Sequence, residues 1–300
     1  MRSTALLAVL AAAAACSSSD DDRPQAAAGQ AVVLHADMPG AASRATLANT
    51  WTLGDLVAVD FGGEVKQYHV VNETGMLKGV DDANTHHWDD TTADAVSIRA
   101  WAMGSSAKYL AAFPATFTVD GDQSDADKLQ AQDFLMAPAR NIAHADEDQT
   151  LTFYHQLSQV TFRVKTAVPT VVSSVTLGSE ENKLPLQGTF TAPAGTDTYG
   201  TWGFGSTTGV ITPCPMPAQE GYVSVCSALV IPGDYMGKAL VAVAATAGTF
   251  SFIPEQAAVL APGGKYTFDV IVENDRIEVQ LNSAINNWGQ VGRHIVLTGN

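Results

Sequence analysis

Basic residues are scarce in this chain. Sixteen Lys and Arg stand against 31 Asp and Glu, for a formal net charge of −15. That balance repels phosphate backbones and anionic lipid headgroups, so no nucleic acid is expected among its partners. Apolar runs long enough to span a membrane are missing everywhere beyond the first fifteen residues. Also missing are a Gly-x-Ser-x-Gly elbow, a Gly-rich phosphate loop and a His-Glu-x-x-His helix. Two groups superficially suit a metal. His86-His87-Trp88-Asp89-Asp90 places imidazoles beside carboxylates, but neighbouring histidines on a strand point opposite ways; a solvated loop anchored by Trp88 is the expected reading. Asp120-Gly121-Asp122-Gln123-Ser124-Asp125-Ala126-Asp127 lacks the spacing and closing Glu of a calcium loop. His155, on an otherwise apolar face, is expected as a hydrogen-bonded core residue. No catalytic residue, metal or cofactor is expected, and the enzyme class is set aside.

Cysteine is scarce too, at three residues, and the first carries an address. Arg2 supplies a positive start, and Ala5-Leu6-Leu7-Ala8-Val9-Leu10 with the alanines to Ala15 makes a short apolar core. It ends in Ala13-Ala14-Ala15-Cys16, which resembles the lipobox of bacterial lipoproteins. The expectation is cleavage between Ala15 and Cys16 and acylation of Cys16. At roughly 0.8 kcal/mol per buried methylene, two or three chains anchor permanently where one is marginal. Residues 1–15 then form the signal and 16–30 a lipidated tether. Within it, Ser17-Ser18-Ser19-Asp20-Asp21-Asp22 is too polar to pack. An acidic stretch at this place resembles the surface-export signal of lipoproteins in Gram-negative anaerobes, so a surface-exposed outer-membrane location is expected. Cys214 and Cys226 remain; in an exported chain a disulfide across that local loop is chemically reasonable, though spacing alone does not set their separation.

The remaining signal is period-two alternation of β-branched and aromatic residues, punctuated by Gly, Pro, Asn and Asp. Val57, Val59 and Phe61 alternate, Gly62-Gly63 turns, and Val65 to Val71 runs back as a hairpin. Val96, Ile98 and Ala100 make another strand, followed by the Tyr109-to-Pro114 stretch and Phe117-Thr118-Val119. Asp125 to Met136 is the one helix the pattern suggests, with an irregular loop as the alternative. Leu151, Phe153 and Leu157 lie on one parity and Val160, Phe162 and Val164 on the other, which predicts a bulge near Ser158-Gln159 or two strands meeting at a bend. Leu240 to Ala244 and Phe250-Ser251-Phe252 flank a turn at Thr246-Ala247-Gly248. Tyr266, Phe268, Val270 and Val272 alternate, Glu273-Asn274-Asp275-Arg276 turns, and Ile277, Val279 and Leu281 return. The chain is expected to be all-β, as two β-sandwich domains over 31–147 and 148–300, parted near the acidic Ala143-to-Gln149 segment.

Several segments, in order, resemble the fimbrillin-like family of lipoprotein-derived pilins. They are Trp51-Thr52-Leu53-Gly54-Asp55, Ala100-Trp101, Phe113-Pro114, Asp122-Gln123-Ser124 and Asp133-Phe134-Leu135-Met136-Ala137. They continue as Phe153-Tyr154-His155-Gln156-Leu157-Ser158-Gln159-Val160, Leu229-Val230-Ile231-Pro232, Gly263-Gly264-Lys265-Tyr266-Thr267-Phe268 and Ile285-Asn286-Asn287-Trp288. The resemblance spans about residues 31 to 290 and implies two transthyretin-like, Greek-key β-sandwiches.

It also implies a fimbrial subunit (stalk, anchor or tip) assembled by donor-strand exchange, with other fimbrial subunits as partners in a homo- or hetero-polymer that supports adhesion. An arginine-specific protease would cut between Arg44 and Ala45, within the loop that follows Ala31-Val32-Val33-Leu34-His35-Ala36. That strand, with Val32, Val33 and Leu34, would leave. A neighbour's Arg293–Asn300, with Ile295, Val296 and Leu297, would fill the trough. Its apolar residues are few, which keeps terminating and capping roles open. The alternative is a stand-alone surface lipoprotein that binds glycan or host protein through aromatics such as Trp88, Tyr199 or Trp202, unless those rings pack into their own domain.

Overall fold

The computed structural model describes residues 29–39, 50–88, 95–104, 108–286 and 290–292. The first half forms one eight-stranded sheet. Its strands are β1 (Leu34–Asp37), β2 (Leu56–Phe61), β3 (Glu64–Val70), β4 (Met76–Gly79), β5 (Val96–Met103), β7 (Phe134–Ile142), β8 (Thr150–Thr152) and β9 (Tyr154–His155). The spatial order is β8-β1-β4-β3-β2-β5-β7-β9. β6 (Thr116–Thr118) leaves this sheet and pairs with the strand Gln187–Thr191 of the second half. β10 (Ser158–Thr166) opens a six-stranded sheet in which it lies antiparallel to Ser224–Val230 and parallel to Lys265–Val272. Ile277–Asn286 and Gln290–Gly292 continue that sheet outward. The strands Val172–Thr176, Val241–Ala245 and Gly248–Phe252 form a separate three-stranded sheet.

Two apolar clusters explain the layering. The smaller gathers one face of the first sheet, from Leu34 and Leu77 through Val57 and Val59 to Ile98, Leu135 and Leu151. Inner-face residues from both ends of the sheet share that cluster, so the sheet curls over itself. The larger cluster takes the opposite face of the same strands (Ala58, Trp101, Met103, Phe134 and Met136) together with the second half's core around Phe162, Phe190, Val243 and Phe268. Central strands of the first sheet are thereby buried on both faces, and so is the junction between the halves.

The β2–β3 hairpin turns at Gly62 and Gly63, whose φ values of 64° and 103° suit glycine. The returning pair Lys265–Val272 and Ile277–Asn286 matches the expected turn. The parity change after Leu157 is the bend between sheets: β9 ends the first and β10 begins the second. The Ala143-to-Gln149 segment connects β7 to β8, and β8 and β9 return to the first sheet beyond residue 147.

Two expectations are corrected. The helix expected over Asp125–Met136 is only α1 (Ala126–Gln130), capped by the Asp125 side chain accepting from Lys128 N. Phe134, Leu135 and Met136 instead open β7, because their neighbours are strand β5 on one edge and apolar side chains on both faces. The Tyr109-to-Pro114 stretch forms no strand; Trp101 Nε1 donates to Leu110 O at 2.8 Å and Phe113 packs edge-on to Trp101. Among the described residues, no helix is long and apolar enough to cross a membrane.

Candidate functional site: the seat of the first strand

From Val32 to Met38 the chain alternates inward and outward. Val32, Leu34, Ala36 and Met38 are buried, while Val33 and His35 are half-buried and Asp37 is exposed. β1 is an inner strand despite standing at the start of the fold. It runs antiparallel to β4, with Leu34 opposite Leu77. It runs parallel to β8, with Ala36 opposite Leu151. Its backbone is bonded on both sides: Ala36 N donates to Gly75 O at 2.8 Å, His35 N to Gln149 O at 3.1 Å, and Asp37 O accepts from Phe153 N at 2.8 Å.

Upstream, Val32 is clamped at both polar groups. Its N–H donates to His86 O at 2.8 Å. Its carbonyl accepts from the Tyr68 hydroxyl at 3.3 Å, which itself accepts from His86 N at 3.1 Å. Burial pushes the Tyr68 hydroxyl up to about 12, so it stays a donor at neutral pH. The His86 ring stacks on Phe61 at 5.0 Å and its Nε2 meets Val59 O at 3.2 Å. Burial holds His86 below the usual imidazole range, with Glu64 and Asp60 pulling the other way. Trp88 N donates to Gln30 O at 2.9 Å, and the Trp88 ring stacks on His144, whose Nε2 meets Gln30 Oε1.

Gly75 sets how closely β4's turn approaches. Its φ is +80°, and a Cβ there would stand 2.2 Å from Ala36 O. Removing β1 from this frame would bare Leu77, Leu151 and the Trp51–Phe153 edge contact, along with two rows of backbone groups. Burying each Val, Leu or Met side chain contributes roughly 1.5–3 kcal/mol.

Val32 and Leu34 therefore point into the core and Val33 away from it, within the expected strand. Ala15, Cys16, Arg44, Ala45, Ile295, Val296 and Leu297 lie outside the described residues. Cys214 and Cys226 are both buried, free thiols. Cys214 registers against Ser227 and Cys226 against Pro215, one step out of a direct cross-strand pair. Burial pushes the Cys226 thiol up to about 12.

The aromatics named for the alternative binding role pack against neighbouring rings. Trp88 is 4% exposed. Trp202 lies 4.7 Å from Phe190, and Tyr199 meets Tyr154 edge-on. His155 pairs through Nδ1 with buried Asp133 at 2.8 Å, as a core histidine would. Burial lowers Lys265 to about 8, with Asp133 opposing the shift. Among the described residues no cluster of three His, Cys, Asp or Glu could hold a metal ion. In the acidic loop, Asp122 is held down to about 2 by Lys128, 2.7 Å away.

Gly75, Tyr68 and the His86 backbone were not singled out from sequence. The glycine in Asn72-Glu73-Thr74-Gly75 was a legible turn signal; the other two act through positions only the register reveals.

Comparison with curated proteins finds no match. A candidate cell adhesion protein from Bacteroides uniformis superposes with a TM-score of 0.58 at 18% identity, covering 86% of this chain and 98% of its own. A second, from Bacteroides ovatus, gives a TM-score of 0.61 at 18% identity, over 86% and 97%. At that identity the likeness establishes the fold. The profile described as fimbrillin-like matches residues 43–288. With most of its length matched, the chain belongs to the fimbrillin-like family.

Proposed function

We propose that this protein is a pilin-like surface lipoprotein: a fimbrial subunit that is lipidated at Cys16, cut between Arg44 and Ala45, and joined to other subunits by strand exchange. The observation that carries the reading is the seat of β1. An inner strand with Val32, Leu34, Ala36 and Met38 buried is followed by a segment holding Arg44, the one arginine between Arg23 and Arg99. A cut there separates β1 from the rest of the chain and leaves an acceptor groove between β4 and β8. Family membership supports the fimbrial role, and the description of the two fold relatives as candidate cell adhesion proteins agrees with adhesion as the output. Lipid on Cys16 places the uncut chain at the outer membrane, and processing moves the remainder into a fimbrium. With sandwiches proposed over 31–147 and 148–300, the acceptor groove lies between β4 of the first segment and β8, which the second segment contributes to the first sheet, and the donor segment lies in the second.

The test treats purified full-length protein with an arginine-specific protease. The expected outcome is a new N-terminus at Ala45 by mass spectrometry and ladders that resist SDS. Deletion of Arg293–Asn300 should abolish those ladders. Assembled fibres with an intact N-terminus would sink the cleavage step. Monomers under every condition, with glycan-array hits lost on Trp202→Ala, would favour a stand-alone glycan or host-protein binder.

A further inference from the structure

The curled first sheet leaves a seam where β7 passes β8 without pairing to it. β9 pairs with β7 only through Leu135 and Met136. Just beyond, Pro138 and Ala139 together stand against Arg99 of β5, a bulge that bends its strand and interrupts the ladder. Leu151 points into the smaller cluster, so Thr150 and Thr152 on either side of it point out of the core. The loop 192–200, between the strands Gln187–Thr191 and Thr201–Phe204, covers this seam from the second half. A cleft of about 180 Å³ results, lined by Ala139 of β7, Thr152 of β8, Tyr154 of β9, and Thr196, Asp197 and Thr198 of the loop. Its walls are held in place. The wholly buried Gln156 accepts from Gly200 N at 3.0 Å through Oε1 and donates to Tyr154 O at 3.1 Å through Nε2. Asp197 N closes a turn on Ala194 O at 3.0 Å, with Gly195 at a φ of 60°.

The chemistry of the lining narrows what fits. A peptide strand is disfavoured, because both outward backbone groups of Thr150 are taken. Its N–H donates to Asp148 Oδ1 at 3.0 Å and its carbonyl accepts from Arg140 Nη1 at 2.8 Å, while Pro138 across the seam has no N–H to give. An anion is disfavoured as well. Arg140 lies 3.0 Å from Asp148 and holds that carboxyl down to about 2, so the pair keeps both charges and cancels them. Asp197 then leaves the rim negative. What remains is hydroxyl chemistry: threonine side chains that both donate and accept, a carboxylate that accepts, and a tyrosine ring as an apolar wall. We infer that this cleft binds one pyranose ring of a neutral glycan, with the C–H face of the ring against Tyr154 and its hydroxyls on Asp197 and the threonines. Being smaller than the roughly 300–1,000 Å³ of a drug-sized pocket, it takes a single ring and leaves the rest of the glycan in water. The inference gives adhesion a ligand class and does not depend on strand exchange.

The test applies purified, uncut protein to an array of neutral and sialylated glycans, with host mucin and plant cell-wall structures in separate arms to distinguish the source of the ring. Titration with the methyl glycosides of the hexoses that score then gives affinities by saturation-transfer NMR. Neutral glycans should bind and sialylated caps should not improve them. Asp197→Ala, on an exposed turn, should weaken binding about tenfold, the loss of a hydrogen bond to a charged group. Ala139→Trp, at an exposed strand position, should fill the cleft and remove binding altogether. Urea midpoints equal to the parent's establish that both variants are folded. Binding of sialylated glycans alone, or of none, would overturn the proposal. So would neutral binding that survives both cleft variants but is lost on Trp202→Ala, since that places the ring elsewhere. The fimbrial reading is scored separately: protein that binds through the cleft but forms no SDS-resistant ladders after cleavage would keep this site and sink strand exchange, and ladders without glycan binding would do the reverse.

Discussion

His86 is the residue on which the seat of β1 converges. Its backbone holds Val32 directly and, through the Tyr68 hydroxyl, a second time. Its ring lies among Phe61, Tyr68, Asp60, Glu64 and Lys66, and burial is the largest influence on it, keeping it neutral. The folded state therefore binds its proton less readily than the unfolded chain, where a histidine titrates near about 6.5. Above that value His86 does not affect the pH dependence. As pH falls below it the unfolded chain takes up the proton first, and stability is lost until the lower, folded value is passed. The uncut protein should lose stability between about pH 7.5 and pH 5.5, and His86→Gln should flatten that slope while lowering the plateau. Urea midpoints at both pH values measure this. Equal slopes in parent and variant would show that His86 does not titrate in the window.

Among the elements, those with one wet face were the easiest to read. The β2–β3 hairpin and the pair Lys265–Val272 with Ile277–Asn286 show alternation and turn residues because one face of each return strand meets water or a polar neighbour. β7 was not legible: Phe134 and Met136 enter the larger cluster while Leu135 and Ala137 enter the smaller, so four apolar residues in succession mask the period of two. β1 was legible as a strand from Val32-Val33-Leu34, but its inner position depends on β8, about 115 residues away, which no local pattern encodes. The clamp at Asp122-Gln123-Ser124 was visible only as a resemblance. In the structure the wholly buried Gln123 amide behaves like a piece of strand: Nε2 donates to Leu229 O at 2.9 Å and Oε1 accepts from Leu229 N at 2.8 Å. It ties the loop before α1 to the strand Ser224–Val230. Gln123→Leu keeps the volume and removes both bonds to Leu229 together with the one that Nε2 gives Asp120 O at 3.1 Å, at about 1–3 kcal/mol for each backbone group left bare. The urea midpoint should fall with m unchanged. A midpoint within error of the parent would mean that the loop re-pairs Leu229 by another route.

At the scale of the whole molecule, β1 belongs to two different objects. In the uncut chain it completes the first sheet between β4 and β8 and follows the segment proposed as a tether. In the proposed fibre it is gone, and with it the lipid proposed for Cys16, so on that reading the anchor holds only while the Arg44–Ala45 bond lasts. Strand exchange needs a first strand that is well bound yet replaceable, and β1 is short enough to be both: four residues of pairing with few large side chains. This gives Leu34 a state-dependent value. Its side chain is fully buried against Leu77, so Leu34→Ala should destabilise the uncut protein by about 2–5 kcal/mol. The same substitution should leave an assembled, cleaved fibre unchanged in its resistance to heat in SDS, because Leu34 is no longer part of it. Leu77→Ala lines the groove in both states and should weaken both. Urea denaturation of the uncut chains, set beside thermal dissociation of the ladders, reads the two effects separately. A Leu34→Ala fibre that dissociates earlier than the parent would show that β1 stays in the assembled subunit.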